Sequence, residues 1–321
     1  MKNTTNALIL SKPQPMDRNA AAVYIASLPA KSGQRTQAQA LRVIAGMFNA
    51  DLATMKWSAL RYQHTAAIRA QLAKQYSPAT ANKIMSALRQ ALKQAWLLGD
   101  MSAEDYRRAI ELKPITGETI PAGRELASGE ISALMNVCQA DTSPAGQRDA
   151  AIIGMLYAAG LRRQEIVNLS LGSFDRDSGQ IVLTGKRNKQ RTAYLTNGSL
   201  AAVIDWLEVR GNDDDALFVA INKGGRLDTS KPMTAQAIYN MLTKRAAEAE
   251  VKQFSPHDMR RTFVSDLLDA GADIATVSKM AGHANVQTTA RYDRRPEDAK
   301  RKAAGLLHVP YKSKLDPYLE A

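Results

Sequence analysis

A single cysteine, Cys138, stands in 321 residues, and no Cys/His cluster has the spacing of zinc ligands. A lone thiol closes no internal disulfide. A secreted disulfide scaffold and a structural zinc site are therefore both excluded, and a reducing compartment is expected. Long apolar runs are missing as well: the amino end carries only Ala7-Leu8-Ile9-Leu10, too short for a signal-peptide core and far below the ~20 residues of a membrane span. The protein is expected in solution in the cytoplasm, with no membrane partner. Acidic residues are absent from Leu52 to Gly99, while Lys56, Arg61, Arg69, Lys74, Lys83, Arg89 and Lys93 recur through that stretch. Soluble surfaces normally mix both signs, so this one reads as a face turned toward phosphates.

The net charge of +12 is unevenly placed. Up to Lys113 there are 16 basic residues against six acidic, a net of +10; the remainder holds 27 against 25, a net of +2. A polyanionic partner is implied, gripped mainly by the first part of the chain. Hydrophobic residues make up 45% of the chain, enough for a folded protein, and the length suits two domains at ~100–200 residues each.

The first part reads as short helices. Leu41, Ile44, Ala45 and Phe48 share one face of Gln37–Asn49; Ser77-Pro78 starts another helix whose stripe is Ile84, Leu88, Ala91 and Ala95, closed by Leu98-Gly99. Lys83, Ser86, Gln90 and Lys93 line its other face. Between Leu112 and Leu126 the pattern lapses, with Pro114, Gly117, Pro121 and Gly123 in quick succession. This divides the chain into a helical domain 1–112, a linker 113–126 and a second domain 127–321. Ser128 opens the second domain's first helix, and Ala150–Ala159 is apolar almost all round, as a buried helix is. Gln180–Thr184 and Gln190–Leu195 read as a β-hairpin joined by Gly185–Lys189. Helices near 200–209, 234–249, 256–270 and 273–281 then restore an all-α pattern. The fold class is mainly α, with one small hairpin.

Four places carry chemistry. Ser255 and Asp258 form a capping box around Pro256, which sets His257 and Arg260 three residues apart at a helix start that favours anions. Gly160 reads as a left-handed cap, after which Arg162 is thrown out with Glu165 placed to brace it. Plain surface pairs would explain either motif alone. At the hairpin tip crowd Lys186, Arg187, Lys189 and Arg191. Gly185-Lys186 is no phosphate loop, since Arg187 follows it rather than Ser or Thr; a basic tip of this kind suits a phosphate backbone. Finally Gly282 ends a short helix before His283, and Tyr292 follows nine residues later. Two Arg, one Lys, two His and one Tyr are the groups that phosphoryl transfer to a tyrosine requires: cations for the charge, an acid for the departing oxygen, an acceptor for the phenol proton. Asp213-Asp214-Asp215 reads as an acidic surface loop, so no metal site and no cofactor are expected.

In this order, Gly-Leu-Arg-x-x-Glu, the hairpin Gly-Lys, His-x-x-Arg, Gly-His and a downstream Tyr, the motifs resemble those of the tyrosine recombinase family of phage integrases and Xer-type recombinases. The resemblance covers the chain after about Arg124. It implies a catalytic domain preceded by a helical core-binding domain, and a site-specific reaction on double-stranded DNA without ATP or metal. Tyr292 would form the 3′-phosphotyrosyl link. Arg162, Arg260 and His283 would hold the non-bridging oxygens, Lys186 would be the general acid with Lys189 as its rival, His257 would assist, and Glu165 would support. Lys56, Arg61, Lys83, Arg89, Lys93, Arg187, Lys189 and Arg191 would meet the DNA. The resemblance also implies a homotetramer on two duplexes, with accessory DNA-bending proteins as further partners. The helical tail 296–307 would dock on a neighbour or pack on its own domain. Three positions depart from the commoner pattern: Arg163-Gln164 replaces an apolar pair, Arg261 stands where a second His is frequent, and Ala281 stands where Leu usually precedes Gly-His. The rivals are a type IB topoisomerase, which shares the chemistry, and a non-catalytic regulator, for which 267–280 would be a helix-turn-helix.

Overall fold

The computed structural model describes residues 8–117, 123–184, 190–213, 215–292, 304–307 and 310. Contacts divide the chain into two compact units, Met1–Pro121 and Ala122–Ala321. Lys186, Arg187 and Lys189 lie outside the described residues, as do Asp214 and the tail 296–307 except for 304–307.

Unit 1 is helical: α1 (Ala20–Ala26), α2 (Lys31–Gly46), α3 (Tyr62–Gln75), α4 (Pro78–Leu97) and α5 (Ala103–Ile110). Asn19 caps α1, its Oδ1 accepting from the Ala22 amide while its Nδ2 donates to the Leu52 carbonyl. The core is drawn from apolar stripes on α2, α3 and α4, with Leu41, Ile44, Leu72, Ile84 and Leu88 around Trp57. Burying one face of α4 leaves Lys83, Ser86, Gln90 and Lys93 exposed together on the other. The chain after α5 is fastened to this unit. Asn82 exchanges two hydrogen bonds with the Ile115 backbone, Arg89 donates to the Leu112 carbonyl and Arg69 to that of Lys113.

Unit 2 begins with α6 (Ser128–Ala140) and α7 (Pro144–Ala158), followed by α8 (Arg163–Val167), β1 (Gln180–Thr184), β2 (Gln190–Tyr194), α9 (Asn197–Arg210), β3 (Val219–Ile221), β4 (Leu227–Pro232), α10 (Ala235–Glu248), α11 (Pro256–Asp269), α12 (Ile274–Ala281) and α13 (Val286–Ala290). Helix α7 is buried from Asp149 to Leu156 and packs against α6, α9 and α11. β1 and β2 pair antiparallel from Gln180↔Tyr194 to Thr184↔Gln190. β3 and β4 form a second antiparallel hairpin where an unbroken return to helices was expected. Its strands explain the difference: one has three residues, and the other, Leu-Asp-Thr-Ser-Lys-Pro, shows no apolar alternation.

Charge is buried in this unit at Arg245, 2% exposed, which bonds Asp149 at 2.9 Å, Asp141 at 2.6 Å and Glu248 at 2.8 Å. These bonds tie α10 to α7 and to the α6–α7 corner, and Arg148 takes the remaining oxygen of Asp149. Cys138 is buried beside them. Burial pushes its thiol up to about 12, so it stays protonated and unreactive.

The segment 123–126 is stitched along α11. Arg261 donates to the Gly123 carbonyl, the Arg124 amide donates to Asp258, the Leu126 amide donates to Thr262, and Ser265 donates to Glu125. These α11 side chains at i, i+3, i+4 and i+7 form one seam along the helix.

Candidate active site

The start of α11 is built as its sequence implies. Ser255 Oγ accepts from the Asp258 amide, Asp258 Oδ2 accepts from the Ser255 amide and hydroxyl, and Pro256 occupies the first turn. His257 is left exposed, while Arg260, one turn on, is 3% exposed.

The start of α8 comes from the end of α7. Gly160 takes φ +58°, the left-handed conformation that reverses the chain, and Leu161 is buried behind it. Arg162 is then the N-cap of α8. Its amide donates to Glu165 Oε2 and its guanidinium to Glu165 Oε1, both at 2.8 Å.

The end of α12 joins these pieces. Gly282, at φ +61°, terminates the helix and leaves its last carbonyls without amides to bond. Each of three consecutive carbonyls accepts from a different arginine: Met280 from Arg191 on β2 at 2.6 Å, Ala281 from Arg260 on α11, and Gly282 from Arg162 on α8 at 3.2 Å. Arg260 also donates to the Gly160 carbonyl, and Arg191 also pairs with Glu165 Oε2 at 2.8 Å. The negative end of a helix dipole and one carboxylate thus hold three cations close together. His283 follows at the turn, its Nδ1 2.8 Å from Thr289 Oγ1 of α13. Tyr292 lies just beyond α13, its ring packed on the cluster of Phe263, Val264 and Ala281, with the Arg261 guanidinium 5.7 Å from the ring centre.

Arg162, His257 and Arg260 open onto one cleft of about 400 Å³, completed by Arg163, Tyr239, Ser255 and Pro256. Its electrostatics follow from crowding. Burial, then the Arg162 charge, lowers the Arg260 pKa to about 10, so it remains a cation at neutral pH. Burial works against the Glu165 carboxylate, but the Arg162 amide and the Arg191 and Arg162 charges outweigh it and hold its pKa below the usual range. Burial, then Arg260 and Arg162, brings His283 down to about 4, and partial desolvation, then the Arg260 and Arg261 charges, lowers His257. His283 is therefore neutral at pH 7, and the cleft sets the His257 imidazole beside the Arg162 and Arg260 guanidinium groups, an arrangement chemically suited to an anion.

These shifts predict an acid-sensitive fold. Between the free-histidine value of 6.5 and about 4 the unfolded chain takes up protons that the folded His283 refuses. Stability from this residue is therefore complete above pH 6.5 and is lost as pH falls through that window. Urea unfolding should give a lower midpoint at pH 5 than at pH 7, and His283→Gln should flatten the difference. An equal pH dependence in that variant would show that His283 is not the group responsible.

Of the residues singled out in the sequence, Arg162, Glu165, His257, Arg260, His283 and Tyr292 all fall in unit 2 around the end of α12 and the starts of α8 and α11. Lys56, Lys83 and Lys93 are exposed on unit 1. Arg61 there is partly committed to the Ser58 and Leu60 carbonyls and to Asp105. Arg191 differs from expectation: it is not at the hairpin tip reaching outward but within β2, with its side chain 16% exposed and turned onto Glu165 and α12. The period of two explains it, because Arg191 shares the inward face of β2 with buried Ala193 while 190, 192 and 194 face out. Tyr239 and Thr289 stand in no sequence motif, so nothing in the sequence marks them. Among the described residues no group of His, Cys, Asp or Glu is arranged to hold a metal ion, and no helix is long and apolar enough to cross a membrane.

The phage integrase family model matches residues 124–298. The tyrosine recombinase XerC of Alcanivorax borkumensis is 32% identical over 248 residues, 75% of this chain and 77% of that protein. The tyrosine recombinase XerD of Caulobacter vibrioides is 33% identical over 225 residues, 67% and 70% of the two chains. Among solved structures the fold matches the Tn1549 transposon integrase in complex with transposon right-end DNA, with a TM-score of 0.70 at 15% identity over 90% of this chain and 98% of that one. It also matches the XerH site-specific recombinase bound to a palindromic difH substrate, with a TM-score of 0.63 at 18% identity over 94% and 92%.

Proposed function

The chain belongs to the phage integrase family and is a site-specific tyrosine recombinase, an enzyme that needs neither metal nor ATP, and from that premise we propose that Tyr292 is its nucleophile and the 162–257–260 cleft its phosphate site. The phenolic oxygen of Tyr292 attacks a DNA phosphorus. A bond from phosphorus to that oxygen forms, the bond to the 5′ oxygen breaks, and a 3′-phosphotyrosyl link and a 5′-hydroxyl result. Attack by the 5′-hydroxyl of a second strand reverses the step, so the bond energy is retained.

Each guanidinium has five N–H donors. Arg162 and Arg260 each commit two to the protein, leaving the others for the non-bridging oxygens. His283, neutral and oriented by Thr289, donates beside them. Lys186 protonates the departing oxygen, with Lys189 as the alternative, and His257 accepts or relays the phenol proton. The observation that carries this reading is the convergence of Arg162, His257 and Arg260, from two helix starts far apart in sequence, on one cleft.

The partner is a duplex recombination site; among the structural neighbours the Tn1549 integrase is in complex with transposon right-end DNA and XerH is bound to a palindromic difH substrate. Unit 1 serves as the core-binding domain, with Lys56, Arg61, Lys83, Arg89 and Lys93 toward the DNA backbone. Arg187 and Lys189 meet the DNA from the other unit. A homotetramer on two duplexes, assisted by DNA-bending proteins, acts in the cytoplasm at the nucleoid.

The test is a nicked suicide duplex carrying the element's own flanking sequence, incubated with the purified protein in chelator and without ATP. A covalent adduct restricted to that sequence, with the attached peptide containing Tyr292, is expected. Relaxation of any plasmid regardless of sequence would favour the topoisomerase. Binding that never yields an adduct would favour the regulator.

A further inference from the structure

Arg191 was expected at the DNA backbone, yet its side chain is 16% exposed and two of its donors are spent inside the protein. Its partners are informative. Glu165 Oε2, which takes one of them, belongs to the carboxylate whose other oxygen fixes the Arg162 guanidinium. The Met280 carbonyl, which takes the other, neighbours the carbonyls that fix Arg260 and Arg162. Arg191 also lies flat against Gly282: a Cβ there would come within 2.7 Å of its Nε and 2.8 Å of its Cδ. The helix end is thus shaped around this side chain.

We propose that Arg191 is a positioning residue of the recombinase site, locking Glu165 and the end of α12 so that Arg162 is presented to the scissile phosphate in one fixed orientation. The assignment rests on the functional reading above. The argument is one of constraint: the Glu165 carboxylate is gripped from two sides, by Arg162 and by Arg191. Without Arg191 the carboxylate keeps only its bonds to the Arg162 amide and guanidinium, so it can pivot about them and carry the Arg162 fork with it, and a misplacement of about 1 Å at a reacting centre costs on the order of a hundredfold in rate.

Arg191→Met keeps the stem and removes every donor; Arg191→Lys keeps the charge as a point that reaches Glu165 or Met280 but does not bridge them. In single-turnover cleavage of the suicide duplex, Arg191→Met should lose about tenfold to a hundredfold in maximal rate, with half-saturating DNA concentration and salt dependence of binding unchanged. Arg191→Lys should fall between it and the parent. In a Glu165→Ala background the Arg191→Met change should cost less than it does in the parent, because only its hold on the end of α12 is then left to lose. A salt slope reduced by about one at unchanged rate would overturn the proposal and make Arg191 a phosphate contact, and losses that multiply with Glu165→Ala would overturn it too. A readout independent of cleavage is hindered rotation of the Arg162 guanidinium by NMR. Resolved Nη signals in the parent should merge in Arg191→Met, and signals unaffected by the substitution would sink the inference even if the functional reading stood.

Discussion

Tyr292→Phe protein is expected to bind its recombination site as tightly as the parent and to form no covalent adduct at all, a loss bounded only by the sensitivity of the gel. The substitution removes a single oxygen. The ring remains packed on the cluster that includes Phe263, Val264 and Ala281, with the Arg261 guanidinium 5.7 Å from its centre, so stability should change by no more than about 0.5 kcal/mol. Binding rests on cations elsewhere and loses nothing, while the bond to phosphorus has no atom to form from. The sharpest control is Tyr239, the phenol that lines the Arg162–His257–Arg260 cleft from α10. Tyr239→Phe should retain the adduct. An adduct that persists in Tyr292→Phe and disappears in Tyr239→Phe would move the nucleophile to α10 and overturn the proposed chemistry.

Gly160→Ala should destabilise unit 2 by about 2–5 kcal/mol in urea unfolding. Two costs combine. An L-residue held at φ +58° is in the left-handed region, at about 1–2 kcal/mol, and the added methyl would fall on the edge of the buried Phe263 ring, whose Cε1 it would meet at 2.6 Å. Forcing such an overlap in a packed core costs about 1–3 kcal/mol. The damage also reaches the cleft, because the Gly160 carbonyl holds Arg260 from the side opposite Ala281. Molecules that still fold should cleave slowly. Gly172→Ala is the matched control: a Cβ there meets nothing within 4 Å, and its midpoint should stay within about 0.5 kcal/mol of the parent. Equal stability of the two variants would contradict the close approach of Gly160 to Phe263.

Much of this arrangement is legible in the sequence because it is written in end signals. Ser255-Pro256 with Asp258, Gly160 before Arg162, and Gly282 before His283 each mark a helix boundary through side chains or glycines with local geometric consequences, and those boundaries carry the site residues. The α4 face of Lys83, Ser86, Gln90 and Lys93 is legible for the same reason, since a buried stripe dictates what faces away. Three things escape. The β3–β4 hairpin is too short and too polar to show a period. Arg191 follows other basic residues closely in sequence, and that cationic crowding outweighs the inward parity of its position in β2. The acceptors at the end of α12 are peptide carbonyls, which every residue has, so a row of them marks no motif.

That row of carbonyls has a consequence for how the enzyme meets its DNA. An arginine on a flexible stem carries roughly 2 kcal/mol of rotamer entropy, which it must surrender to hold a phosphate in one orientation. Here Arg162 and Arg260 surrender most of it when the chain folds, since each is moored to backbone atoms before any DNA arrives. Folding carries that cost, together with the mutual repulsion of the crowded guanidinium groups. If this cleft takes the scissile phosphate as proposed, the incoming phosphodiester would find a rigid socket, relieve the repulsion with its own charge, and pay no further ordering at the reacting centre.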